Sequence, residues 1–99
     1  MALHEIRDQD RLDGASNFAV WKARLLSVLD RSHVKHFAMR MIAILVDLVD
    51  NDKYEEAMAR AKSIILDGVK DHVVPHIGKK EMAYEMWEAL NKLYQHTSV

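Results

Sequence analysis

The chain has no cysteine, one proline and only three glycines in 99 residues. Each scarcity excludes something. Without cysteine there is no disulfide, no thiol nucleophile and no cysteine-ligated zinc, which suits a reducing compartment. With so little glycine and proline, the chain lacks the residues for the frequent tight turns that strand-rich folds need, and it reads as all-α. An excess of charge of one sign is missing too: 14 Lys and Arg stand against 15 Asp and Glu, a formal net charge of −1. A phosphate backbone therefore meets no broad basic field, and RNA binding is expected to be weak or absent. Long hydrophobic runs are also lacking. The longest apolar stretch, "MIAILVDLV" (41–49), is interrupted by Asp47 and falls far short of the ~20 residues of a membrane span. The charged beginning "MALHEIRDQDRLDG" does not resemble a signal peptide. A cytoplasmic location is expected, and a nuclear one is compatible.

What is present is ordinary globular material. The apolar share is 49% and the charged share 29%, too apolar for disorder and sufficient for one modest core in a single domain. Residues 1–13 alternate in charge and are expected to lie over the surface. Gly14 offers the positive φ of a tight turn, and Ser16 or Asn17 can cap the helix that follows by accepting a free N–H. From there Phe18, Trp21, Leu25, Val28 and Leu29 recur at helical spacing, predicting a helix over 17–31 with these residues as core anchors.

A second apolar stripe, Val34, Phe37, Ala38, Met41, Ile42, Leu45, Leu48 and Val49, predicts a helix over 33–46, although its β-branched content also tolerates extended backbone. The stripe is large for so small a chain. Left uncovered by the monomer it would be an association surface, so Val34, Phe37, Met41, Ile42, Leu45 and Leu48 are the candidates for self-association. Asp52 and Glu55 have the spacing of a capping box, and Tyr54, Met58, Ala61, Ile65, Gly68 or Val69, and His72 extend a third helix over 52–73. Pro75 is expected to break it. Small residues Ala57, Ala61 and Gly68 on its packing side would let another helix come close. Ala83, Met86, Trp87, Leu90, Leu93 and Tyr94 predict a fourth helix over 80–96. The expected architecture is a small all-α bundle of about four helices.

Catalytic equipment is not apparent. The sequence contains no phosphate-cradling glycine loop, no G-x-S-x-G elbow and no H-E-x-x-H. His72 and His76 have the four-residue spacing of a pair of metal ligands, but Pro75 lies between them and Asp71 is the nearest third group, too few for a structural site. His33 and His36 flank Lys35 and read as a solvated face. Lys62, Lys70, Lys79 and Lys80 form a local basic bias without interleaved aromatics, which does not make a nucleic-acid groove. No enzyme activity, metal or cofactor is expected.

Two stretches carry a more specific signal. "LDGASNFAVW" has the form Leu-x-Gly-x-x-Asn-aromatic-x-x-Trp, and "AYEMWEALNKLY" has the form Ala-x-x-x-Trp-x-x-Leu-x-x-x-Tyr. Paired in this order and joined by helical sequence, they resemble the N-terminal, capsid-like region of the Gag polyprotein of Ty1/copia-type LTR retrotransposons, plant members above all. The resemblance spans nearly the whole chain and falls on Leu12, Gly14, Asn17, Phe18, Trp21, Ala83, Trp87, Leu90 and Tyr94. It implies a structural protein that self-associates as a homodimer or higher oligomer. A complete Gag of this type continues into further capsid helices and a cysteine–histidine zinc knuckle, so the resemblance is to a truncated form without the RNA-gripping part. Where relatives often carry a capping Thr, this chain has Met82, which implies that the fourth helix starts earlier, at Lys79 or Lys80. The resemblance also admits full-length Gag as a partner. An alternative is a host-adopted adaptor that binds another protein through adaptable methionines such as Met39, Met41, Met58, Met82 and Met86.

Overall fold

The computed structural model describes residues 6–39 and 51–94. Along these residues the chain makes a short 3-10 turn at Asp8–Asp10, a second at Ala15–Asn17, and then five α-helices: α1 (Phe18–Arg31), α2 (Lys35–Met39), α3 (Asn51–Asp67), α4 (Val74–Ile77) and α5 (Ala83–Tyr94). The fold is all-α, as composition and periodicity imply. The described residues hold no strand beyond one isolated parallel bridge between Leu12 and Val69. α5 packs against α2, α3 and α4, while α1 lies against α3 and α2. No described helix is long and apolar enough to cross a membrane.

α1 follows its stripe closely, with Phe18, Trp21, Leu25, Val28 and Leu29 all buried. Its end is set by a Schellman turn. The Val34 N–H donates to Leu29 O at 3.0 Å and the His33 N–H to Asp30 O at 3.0 Å, the paired reverse bonds that close a helix around one left-handed residue. That residue is His33, at φ 63°. The helix expected from 33 therefore starts two residues later, because a left-handed residue cannot belong to a right-handed turn. Val34 and Leu29 are both fully buried, the hydrophobic contact that usually accompanies this turn. Residues 40–46 of the expected second helix lie outside the described residues.

The third helix departs most from expectation. It is already running at Asn51, so Asp52 lies within it and does not occupy the cap position. At the other end it stops at Asp67, not near 73. The Gly68 carbonyl, which a continuing helix would give to an N–H four residues on, instead accepts the Leu12 N–H at 2.9 Å and the Trp21 indole N–H at 2.6 Å. Lys70 then donates its N–H to Leu12 O at 2.9 Å. Tertiary bonds have replaced helical ones. Pro75 starts a helix where one was expected to break: it sits in the first turn of α4, where a backbone N–H has no intrahelical partner to lose.

α5 also begins later than Lys79 or Lys80. Met82 has no side-chain oxygen for the cap, yet the helix starts at Ala83 because Glu85 Oε1 reaches back to the N–H groups of Glu81 and Met82, both at 3.2 Å. That is the glutamate half of a capping box.

Candidate functional site

Four of the nine residues of the paired motifs, Phe18, Trp21, Trp87 and Tyr94, meet at one place. α1 and α5 bring their aromatic rings together as a run: Tyr94 lies 5.8 Å from Phe18, Phe18 5.8 Å from Trp21, and Trp21 5.9 Å from Trp87. The Phe18–Trp21 and Trp21–Trp87 pairs are stacked, with interplanar angles of 28° and 27°. Such pairs add about 0.5–1.5 kcal/mol each beyond their burial. Lys22 places its ammonium 5.6 Å from the Phe18 ring and 6.0 Å from the Trp87 ring, close enough for attraction to both π-faces. Ala83, Leu90 and Leu12 are fully buried in the same core. They are scaffold, not a solvent-facing site.

Leu12 shows how the leading segment is held. The surface strap expected for residues 1–13 is anchored at its end, with Leu12 buried between the two backbone bonds of the Val69 bridge. Asn17 sits at the cap position of α1, but its side chain makes no cap bond there. It faces backward: Oδ1 accepts the N–H groups of Asp13 and Gly14, and Nδ2 donates to Arg11 O. The carboxamide braces the loop before the helix, which corrects the expected role of both Asn17 and Ser16; the latter lies in the preceding 3-10 turn. Gly14 likewise has no left-handed backbone. Its φ of 170° is extended, and a Cβ there would meet nothing within 4 Å.

Two ionisable groups border this loop. His72 Nε2 lies 2.8 Å from Asp13 O and 3.4 Å from Asp13 Oδ1. The Tyr94 phenol has a pKa raised above its ordinary value, first by burial and second by the charge of Asp13. His76 sits on α4, exposed. Among the described residues, no group of three or more His, Asp or Glu is placed to hold a metal ion.

Of the self-association candidates, Val34 and Phe37 belong to the core of the single chain, at 0% and 6% exposure. Phe37 meets Tyr54 edge-on at 5.7 Å. Met41, Ile42, Leu45 and Leu48 lie outside the described residues. The large apolar side chains most exposed among the described residues are Val20, Met39 and Leu93. Among the methionines considered as adaptable contacts, Met58 and Met86 are buried, Met82 is half-buried and Met39 is exposed. Two open grooves are formed by the described residues. One, of about 490 Å³, is bordered by Asp30, His33, Lys35, His36 and Met39; the other, of about 340 Å³, lies beside Met58 and Met82.

Gly68 has the close-approach role expected of it and a second one that local spacing does not show. It does allow close approach, since a Cβ would lie 3.0 Å from Leu25 Cδ1 and 3.4 Å from Trp21 Nε1. Its main work, though, is to end α3 and receive both the Trp21 indole and Leu12. Nothing in local spacing announces that pairing across 47 residues. Glu85 was findable, since it stands three residues after the cap position that the motif comparison had questioned. Comparison of the chain with known protein families, with curated proteins and with solved structures gave no match.

Proposed function

We propose that this chain is a non-enzymatic self-association module of the retrotransposon Gag capsid type, forming homo-oligomers through apolar helix faces. The observation that carries the reading is the meeting of the two motif stretches. Phe18 and Trp21 from the first stack with Trp87 and Tyr94 from the second, so the residues behind the resemblance form one physical unit.

The association surface is assigned to the 41–48 stretch. Val34 and Phe37 are buried inside the monomer, and the proposal rests on the remaining candidates of the stripe, Met41, Ile42, Leu45 and Leu48, which lie outside the described residues. Met39, exposed at the end of α2, leads into it. A symmetric dimer is the commonest form of such an assembly. The test is molecular mass by light scattering behind size exclusion across a hundredfold range of concentration. A dimer or larger species that dissociates on Met41→Asp or Leu45→Asp supports the proposal. A monomer at every concentration overturns it and favours the adaptor reading.

A further inference from the structure

Ala83 begins α5 with its N–H directed at a sulfur atom. The acceptor is Met58 Sδ on α3, at 3.3 Å in a buried contact. Glu85 already serves the N–H groups of Glu81 and Met82, and Met82 has no oxygen to offer, so the first N–H of the helix falls to a thioether. A thioether is a weak acceptor, so this first backbone bond of α5 is a weak one. Met58 is 8% exposed and borders the open groove lined by Tyr54, Lys62 and Met82. By contrast, Met86 is fully buried and Met39 is 42% exposed. Met58 thus combines a structural bond with a position at the solvent edge.

We propose that Met58 is a site of reversible oxidation by hydroperoxides, and that its sulfoxide releases the start of α5 from α3. In the step itself, a lone pair of Sδ attacks one oxygen of hydrogen peroxide. The S–O bond forms as the O–O bond breaks, and the proton on the transferred oxygen passes to the departing hydroxide, which leaves as water. Sulfur loses two electrons and the peroxide gains them. A methionine sulfoxide reductase reverses the change at the expense of a thiol reductant. Oxidation turns a flexible apolar side chain into a polar one. The added oxygen has no room between the sulfur and the Ala83 N–H, which are 3.3 Å apart in a buried contact, and overpacking there is unfavourable. The side chain is expected to turn its S–O bond toward the groove, and that turn carries the sulfur off the Ala83 N–H.

The experiment treats the folded full chain with hydrogen peroxide, follows oxygen uptake at each methionine by peptide mass mapping, and measures Tm in parallel. Uptake at Met58 slower than at Met39 and faster than at Met86 is expected, with Tm falling in step with Met58 occupancy. Met58→Leu keeps the volume without the sulfur, and its Tm is expected to lose that response to peroxide. If Met58→Leu does not fold, Met39→Leu and Met82→Leu serve in its place, and both are expected to keep the full response. The proposal is overturned if Met58 remains unmodified in the folded chain while Met39 is oxidised. It is equally overturned if Met58 becomes oxidised with Tm unchanged, or if Met58→Leu responds as strongly as the wild type.

Discussion

The indole N–H of Trp21 donates to the carbonyl of Gly68 at 2.6 Å, and the same carbonyl accepts the Leu12 N–H at 2.9 Å. One acceptor at the end of α3 thereby fastens both α1 and the segment leading into it. This joint explains why α3 stops where it does, and it makes Trp21 more than an apolar anchor.

Trp21→Phe keeps an aromatic ring but removes the donor. Loss of a buried hydrogen bond costs about 1–3 kcal/mol, and the smaller ring adds a cavity contribution. Urea unfolding is expected to show a lower midpoint. Trp21→Ala, which also removes the stacking on Phe18 and Trp87, is expected to cost about 3–5 kcal/mol.

The two glycines of interest are expected to respond in opposite directions. Gly14→Ala places a methyl group in open space on extended backbone, so stability should be unchanged or slightly higher, by up to about 1 kcal/mol, because the unfolded chain loses freedom. Gly68→Ala drives a Cβ to 3.0 Å from Leu25 Cδ1 and is expected to destabilise by about 1–3 kcal/mol. Thermal unfolding of the two variants side by side checks the contrast. Equal effects would contradict it.

His33 holds a left-handed conformation at φ 63° without being glycine. His33→Gly relieves that strain and is expected to stabilise the chain by about 0.5–1 kcal/mol, the left-handed penalty less glycine's entropic disadvantage. His33→Val, branched at Cβ, is expected to destabilise it. Chemical denaturation of both variants decides the matter.

Tyr94 predicts an alkaline weakness. Its folded pKa is raised above the ordinary 10.0, by burial first and by Asp13 second. Below that ordinary value both states keep the phenolic proton and no stability is lost. As pH climbs through it, the unfolded chain releases the proton more readily than the folded one, and stability falls until the folded pKa is passed. Tyr94→Phe is expected to remove this contribution to alkaline destabilisation. In a Tyr54→Phe, Tyr84→Phe background, absorbance titration is expected to show Tyr94 ionising late, and Asp13→Asn should bring it partly back.

Much of this was legible in the sequence, and the reasons are local. The buried residues of α1 and of α5 follow a 3.6-residue period that can be read without any structure. Of the residues in the paired motifs, Phe18, Trp21, Trp87 and Tyr94 meet ring to ring. The misreadings share a cause: a backbone or side-chain group took a partner distant in sequence. Asn17 looked like a cap for the helix after it, but its carboxamide found three backbone groups before it. The 52–73 period looked continuous, but the Gly68 carbonyl was claimed by Trp21 and Leu12. Met82 looked like a missing cap, but Glu85 and Met58 supplied the acceptors.

By itself, the sequence determined the class of fold, the helical faces and the identity of the aromatic anchors, because hydrophobic periodicity and the scarcity of turn residues act over a few neighbouring positions. Only the tertiary structure decided where helices end, what Gly68 is packed against and which sulfur meets the first N–H of α5. Those outcomes depend on competition for single hydrogen-bonding groups. The winner of each competition is set by which residues the whole fold brings within about 3 Å of the group.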